Sequence, residues 1–285
     1  MTIRTDLAIE CREMFAGELV GVENLREDSD GLTVSHVRIT TDEGARQIGK
    51  PKGNYVTVEI NEVLFDDPDI FQRGSEAVGR ELKKLCEGKK PDSVLIVGLG
   101  NRYITPDSIG PKVVGKVMVT RHITKDAKFG YDFPVRAVSA VSPGVLGITG
   151  IETGEIVKGV AEHVKPSLII AVDALAARSL SRLGTTVQLC DTGICPGSGV
   201  GNNRKELTEK TLGVPVIAIG VPMVVDIKTL ALEVLNIPEE NRANNLNCNI
   251  PPNKRDMIVT LNDVDAVSEK ISEIIAEGIN IALHS

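Results

Sequence analysis

The sequence predicts an α/β fold, with a mostly parallel twisted sheet, helices on both faces and a small antiparallel β region near the N-terminus. From about residue 67, short apolar runs alternate with segments of helical periodicity, which is the pattern of parallel strands joined by helices. Hydrophobic residues make up 42% of the chain but aromatic residues only 3%. The core is therefore expected to consist of Val, Ile, Leu and Ala, as in buried parallel strands.

The N-terminal region shows a different pattern. Residues 1–30 are polar and acidic and are expected to be loosely held. Residues 34–40 and 55–60 alternate between apolar and polar side chains, and a connection rich in Gly, Pro and Lys separates them at 49–53. This arrangement predicts an antiparallel pair, and we assign it to a β subregion of about residues 30–62.

The rest of the chain is predicted to supply the main sheet and its helices. Asp67 and Pro68 indicate a helix start, with a capping side chain followed by proline at the first helical position. Continuous apolar runs predict strands at 93–97, 135–141, 168–172, 185–189 and 214–219. Helical spacing of apolar residues predicts further helices after Pro106 and at 153–164, 175–183, 226–236 and 263–283.

Charge and composition exclude several classes of function. The formal net charge of −7 disfavours nucleic acid as a direct partner, because phosphate binding needs a basic surface. No apolar run reaches the roughly 18 residues of a membrane span, and no secretory signal is evident. Five scattered cysteines indicate reduced thiols in the cytoplasm rather than disulfides. No histidine lies at metal-binding spacing, so neither a metal nor another cofactor is predicted.

Two acidic residues are the candidate catalytic groups, because ligands of such sheets bind beyond the carboxyl ends of the strands. Asp107 lies near a predicted helix N-terminus, where the helix dipole favours a carboxylate. Asp173 directly follows the apolar run at 168–172. Two neighbouring carboxyl groups can divide general acid and general base roles, because they cannot both ionise cheaply. The alternative is that Asp107 stabilises a first helical turn and Asp173 caps the helix predicted after it.

A glycine-rich loop follows the strand at 185–189. Asp191 ends that strand and is a third candidate acid, while Gly197, Ser198 and Gly199 lie in the loop at 192–203. Glycine lets the backbone approach a ligand closely, so this loop is a possible source of N–H groups for an oxyanion or a substrate strand. The alternative is a flexible connector, since loops are commonly rich in glycine.

Four segments together resemble the germination protease family. They read VGLGN at 97–101, TPDSIGP at 105–111, IIAVDALAAR at 169–178, and DTG at 191–193 followed by PGSGVGNN at 196–203. The resemblance covers nearly the whole chain. The GLGN segment is also similar to the hydrogenase-maturation endopeptidases.

The resemblance implies an endopeptidase that initiates degradation of small acid-soluble spore proteins during germination. Such enzymes are made as zymogens, mature by self-cleavage, assemble as homotetramers and act in the cytoplasm of the forespore or spore core. Their proposed catalytic groups are two aspartates that activate water, and these correspond to Asp107 and Asp173 here. No membrane and no nucleic acid is expected as a direct partner.

The resemblance also implies a place for self-cleavage. Family substrates are cut after an acid and before an apolar residue that is followed by Ala, and Asp6, Leu7 and Ala8 have this form. We therefore expect cleavage between Asp6 and Leu7, with residues 1–6 as the propeptide and 7–285 as a single α/β peptidase domain. The alternative for this segment is an ordinary disordered terminus.

Two other functions remain open at this point. One is an endopeptidase of the hydrogenase-maturation type. The other is a non-catalytic α/β protein that binds a peptide or small ligand, with Asp107 and Asp173 acting only as helix caps.

Overall fold

A nine-stranded sheet forms the centre of the computed structural model. The structure describes residues 5–29, 31–60, 67, 69–89, 91–125, 136–197, 204–235 and 257–284. The spatial order is β1-β2-β3-β7-β8-β6-β4-β5, and β9 pairs with β8. The strands are β1 Val22–Ser29, β2 Leu32–Ile39, β3 Gly53–Glu59, β4 Ser93–Gly98, β5 Ala137–Val141, β6 Leu168–Ala177, β7 Thr186–Cys190, β8 Val216–Asp226 and β9 Ile258–Val259.

The sheet is mixed rather than mostly parallel, which corrects the prediction. Only the neighbours β8, β6, β4 and β5 run parallel. The predicted antiparallel pair is present as β2 and β3, but β7 runs antiparallel to both β3 and β8. The N-terminal strands therefore continue the main sheet. A buried strand has the same apolar pattern in either direction, so its sequence does not report its orientation.

Helices cover both faces of this sheet. The apolar side chains of α3 and α10 pack in one cluster with strand residues on one face, and α1 and α7 contribute to two clusters on the other face. The helices are α1 Ala8–Glu13, α2 Asp42–Ile48, α3 Ile70–Cys86, α4 Ile109–Val114, α5 Arg121–Lys125, α6 Leu146–Thr149, α7 Thr153–Val164, α8 Glu209–Leu212, α9 Ile227–Val234 and α10 Val264–His284.

Glycines bring α3 and α10 into close contact. A methyl group at Gly278 would lie 2.7 Å from the side chain of Val78, and one at Gly79 would lie 2.9 Å from Ile281. Glycine at these two positions thus lets the long helices approach each other over the apolar face of the sheet, because protein interiors are closely packed and leave little room for a larger side chain.

The helix predicted at 175–183 is wrong. Strand β6 continues to Ala177 in register with β8, apart from a bulge between Leu175 and Ala176. A single 3-10 turn follows at Leu180–Arg182. The segment is rich in Ala and Leu, which favour helix in isolation. Pairing with β8 outweighs that preference, because propensity is weak compared with tertiary context.

The prediction of a loose N-terminus is also wrong for the described residues. Leu7 and Ala8 are completely buried, and β1 pairs with β2 along its whole length. Helix α1 is held by Glu10, which is 1% exposed and accepts hydrogen bonds from the backbone N–H groups of Arg178 (2.6 Å) and Ser179 (2.9 Å). A guanidinium nitrogen of Arg182 lies 3.5 Å from the same carboxylate.

Within the described residues, no helix is both long and apolar enough to cross a membrane.

Candidate active site

Asp173 lies in the middle of β6, not at its end. It faces Gly220 on β8, and the residue before it faces Gly98, the last residue of β4. Because β4 stops there and β6 continues, Asp173 lies just beyond the carboxyl end of its neighbouring strand. No helix follows it, so it is not the helix cap that the sequence left open.

Asp107 is brought to the same place by a compact loop after β4. A 3-10 turn at Thr105–Asp107 precedes α4, and the Asp107 carboxylate accepts a hydrogen bond from the backbone N–H of Asn101 (2.8 Å). Gly100 has φ of 103°, and a methyl group there would lie 2.1 Å from the carbonyl oxygen of Asp107. This backbone crossing needs glycine both for its conformation and for its space.

Helix α4 fixes the loop against the sheet. At Gly110, a methyl group would lie 2.3 Å from the Leu99 carbonyl oxygen and 2.6 Å from that of Val172. The helix therefore rests directly on the backbone at the ends of β4 and the centre of β6. Asp107 lies three residues before Gly110, so this contact lies close to it along the chain.

The two aspartates line one cavity of about 380 Å³, together with Asp6, Thr153 and Arg204. Asp173 is 5% exposed, whereas Asp107 is partly exposed. Arg204 contributes a guanidinium group that lies 3.5 Å from Glu152.

The pKa values of both carboxyl groups are raised, and that of Asp173 is raised more. Burial is the main cause at Asp173, the nearby charge of Asp107 adds to it, and the backbone N–H of Ala174 opposes it. Burial also raises the pKa of Asp107, while the N–H of Asn101 opposes the shift. Asp173 is the more deeply buried of the two, so burial favours a state in which Asp173 is protonated and Asp107 is ionised. This is the division of states that acid and base catalysis requires.

The N-terminal segment enters the same cavity. The backbone N–H of Asp6 donates to the Ala176 carbonyl oxygen (2.9 Å), and the Asp6 carboxylate accepts from the Ala176 N–H (2.9 Å). The Gln188 carboxamide donates to the Asp6 carbonyl oxygen (3.2 Å) and accepts from the Ala8 N–H (2.7 Å). Asp6 also lines a second cavity of about 230 Å³ beside the first.

The other predicted site residues are placed differently. Asp191 does not line the cavity of the two aspartates, and its carboxylate holds Asn54 through the backbone N–H (2.8 Å) and the side-chain amide (2.7 Å). Gly197 does line the cavity. Ser198 and Gly199 lie outside the described residues.

Sequence reasoning missed Gln188. It stands inside the apolar strand β7 and is 7% exposed. A buried polar side chain in an apolar run is an available signal, because such groups are normally kept only with a partner. Its partner is the N-terminal segment, far away in sequence.

Two other kinds of chemistry find little support in the described residues. Burial raises the pKa of Cys190 and of Cys195, which opposes the thiolate that a cysteine nucleophile requires. Across the described ranges, no group of three or more His, Cys, Asp and Glu side chains is arranged to hold a metal ion.

The family comparison and the relatives found by sequence point to the same family. The family model described as germination protease matches residues 5–237. A germination protease from Clostridium acetobutylicum is 44% identical over 99% of this chain and 95% of its own length. One from Caldanaerobacter subterraneus is 42% identical over 99% and 94%, and one from Bacillus subtilis is 46% identical over 82% and 66%. Among solved structures, the NiFe hydrogenase maturation protease HycI from Thermococcus kodakarensis matches with a TM-score of 0.37 and 17% identity, over 70% of this chain and 98% of its own.

Proposed function

The chain belongs to the germination protease family, and from that premise we propose that it is an endopeptidase whose Asp107 and Asp173 together activate water. The observation that carries this proposal is the shared cavity, which holds both carboxyl groups beside Asp6 of the chain's own N-terminal segment. The unequal rise of the two pKa values supports separate roles for the two groups.

In this mechanism Asp107 is ionised and acts as the general base. It takes a proton from a water molecule as the water oxygen bonds to the peptide carbonyl carbon. Asp173 is protonated and hydrogen-bonds the carbonyl oxygen, where negative charge develops. The tetrahedral intermediate collapses as its C–N bond breaks and the leaving nitrogen takes a proton from the acid pair. The products are a carboxyl group and an amine.

The first substrate in this proposal is the chain itself, cut between Asp6 and Leu7. Asp6 already lies in the cavity of the two aspartates, and Leu7 and Ala8 are held in the apolar core. While the segment stays there, it competes with any other peptide for the same space. Removal of residues 1–6 would thus convert a zymogen into the active enzyme.

The wider biological role follows from the family resemblance. We infer that the external substrates are small acid-soluble spore proteins, degraded in the spore cytoplasm during germination by a homotetramer. The net charge of −7 suits an enzyme that does not compete with its substrates for DNA.

Intact mass spectrometry tests the acid pair. Purified wild-type protein should lose residues 1–6 on incubation, whereas Asp107→Asn and Asp173→Asn should keep them. Asp191→Asn is the matched control, because Asp191 is a partly buried aspartate outside this cavity, and it should process at the wild-type rate. Processing that persists in both cavity variants would remove Asp107 and Asp173 from the chemistry.

The same assay separates the competing functions. A metal chelator should leave processing unchanged if the aspartates alone activate water, and it should abolish processing by a metal-dependent endopeptidase. A non-catalytic binding protein would retain an added peptide of residues 4–10 and return it intact.

A further inference from the structure

We propose that Gln188 clamps the peptide backbone across the bond to be cut and hydrogen-bonds its carbonyl oxygen. The inference rests on the proposed function, in which the bond between Asp6 and Leu7 is cleaved. The carbonyl oxygen of that bond belongs to Asp6, and the side-chain amide of Gln188 donates to it at 3.2 Å.

The clamp has two sides. The carbonyl oxygen of the Gln188 side chain accepts from the backbone N–H of Ala8 at 2.7 Å. One carboxamide therefore contacts the backbone before and after Leu7, so both its donor and its acceptor are used. Both partners are main-chain groups, which every peptide substrate offers whatever its side chains.

The sheet places this carboxamide opposite the acid pair. Gln188 on β7 and Asp173 on β6 are both paired with Gly220 on β8. Residues directly opposite each other on neighbouring strands project to the same face of a sheet. Two strand spacings separate the Gln188 and Asp173 backbones by roughly 10 Å. Gln188 donates to the Asp6 carbonyl oxygen, and Asp6 lines the same cavity as Asp173, so the amide donor and the acid both lie near the N-terminal segment.

Gly220 keeps the intervening space free of its own side chain. A methyl group there would lie 2.4 Å from the side chain of Leu175, which lines the cavities on both sides of Asp6. Leu175 thus fills the position over Gly220 and gives the peptide an apolar floor.

A donor on the carbonyl oxygen helps most where that oxygen becomes negative, during attack by water. A donor fixed by a rigid strand needs no reorganisation at that moment. Gln188 is nine-tenths buried in β7, so the Nε2–H group is held by the sheet and not by a mobile loop.

The test compares full-length wild type with Gln188→Met, which keeps the length of the side chain but removes both hydrogen bonds. Thr186→Val is the matched control, because Thr186 is a buried residue of β7 two positions away whose hydroxyl has no hydrogen-bond partner among the described residues. Each protein is assayed for loss of residues 1–6, for kcat and KM on a free peptide of residues 4–10, and for its urea midpoint.

We expect Gln188→Met to lower kcat on the free peptide by about 100-fold, the scale of losing one donor to an oxyanion. Thr186→Val should stay within about twofold of wild type, a margin well below the effect of an oxyanion donor. A residue that only anchored the N-terminal segment predicts the opposite sign, because a loosened segment leaves the cavity and the free peptide is cut equally fast or faster. Either of those rates in Gln188→Met overturns the proposal.

A second variant covers the case in which Gln188→Met does not fold. Gln188→Glu keeps the acceptor toward Ala8, but only its protonated form can donate to the Asp6 carbonyl oxygen. Its rate relative to wild type should fall as pH rises, and a constant ratio across pH contradicts the proposal. Asp173→Asn separates a failure of the aspartate-pair mechanism from a failure of the Gln188 clamp. Full activity in that variant contradicts the aspartate-pair mechanism and, with it, the clamp. Loss of activity there with normal activity in Gln188→Met removes the clamp alone.

Discussion

Replacing Gly110 by alanine is the most direct perturbation of the site that leaves every polar group in place. The added methyl carbon would lie 2.3 Å from the Leu99 carbonyl oxygen, 2.4 Å from the Leu99 nitrogen and 2.6 Å from the Val172 carbonyl oxygen, and real contacts of this kind do not fall below 3.0 Å. The first contact must therefore lengthen by at least 0.7 Å, which is 3.0 Å minus 2.3 Å. All three neighbours are backbone atoms, two just after β4 and one in the centre of β6, so α4 must move instead.

The magnitude follows from two opposing effects. Alanine is favoured over glycine inside a helix by up to about 1 kcal/mol. Overpacking of a rigid interior costs about 1–3 kcal/mol, so we expect Gly110→Ala to lower the free energy of unfolding. Moving α4 also displaces Asp107, three residues before Gly110, and a misplacement of about 1 Å is enough to cost 100-fold in rate. The shift here is smaller, so self-processing should slow by roughly tenfold or more.

Gly115→Ala is the matched control for this experiment. It lies at the end of the same helix, where the nearest backbone atom to an added methyl group is 3.4 Å away. Urea denaturation gives the stability of each variant, and intact mass spectrometry gives the rate at which residues 1–6 are lost. If Gly110→Ala matches Gly115→Ala in both measurements, α4 does not position Asp107 through this contact.

Three other outcomes are expected. The cleavage rate should fall at low pH as Asp107 gains a proton and at high pH as Asp173 loses one. Both limbs of the rate–pH profile should lie at higher pH than ordinary aspartates give, because the pKa values of both groups are raised. A profile without an alkaline limb contradicts a protonated Asp173. Asp173→Asn should raise the urea midpoint at neutral pH, because the folded chain no longer holds a carboxyl group of raised pKa. The gain should vanish below about pH 3.9, where the carboxyl group of wild type is protonated in both the folded and the unfolded chain. An equal gain at all pH values would show that packing causes it instead. Glu10→Ala should lower the free energy of unfolding by about 3 kcal/mol, because it removes a buried carboxylate that pairs with Arg182. Glu13→Ala removes a more exposed partner of Arg182 and should lower it by under about 1 kcal/mol. Equal losses would show that the burial of Glu10 adds nothing to stability.

The sequence predicts the elements of this fold better than their connections. Helical periodicity locates α7 at Thr153–Val164 and α10 within one residue at each end. The same reasoning wrongly predicts a helix at the end of β6. Ala and Leu favour helix locally, whereas the strand that pairs with this segment is some 50 residues away in sequence. Strand direction is likewise absent from a buried apolar pattern, so the antiparallel β7 was not predicted.

The candidate site divides in the same way. Asp107 and Asp173 can be proposed from their positions next to apolar runs, and the structure places them in one cavity. Strand β6 continues past Asp173, whereas its neighbour β4 ends at Gly98. Only the register of the two strands shows this, and the sequence does not contain the register. Gln188 depends on contacts with Asp6 and Ala8 across about 180 residues, and no local pattern contains such information.

Those long-range contacts also constrain the order of events during synthesis. The bond between Asp6 and Leu7 is synthesised before Asp107, Asp173 and Gln188, which are added more than 100 residues later. Non-local strand pairing is the slow part of folding, and residues 6–8 can dock only after β6 and β7 have joined the sheet. A growing chain therefore carries the proposed cleavage bond without the groups proposed to cut it until β6 and β7 have joined the sheet.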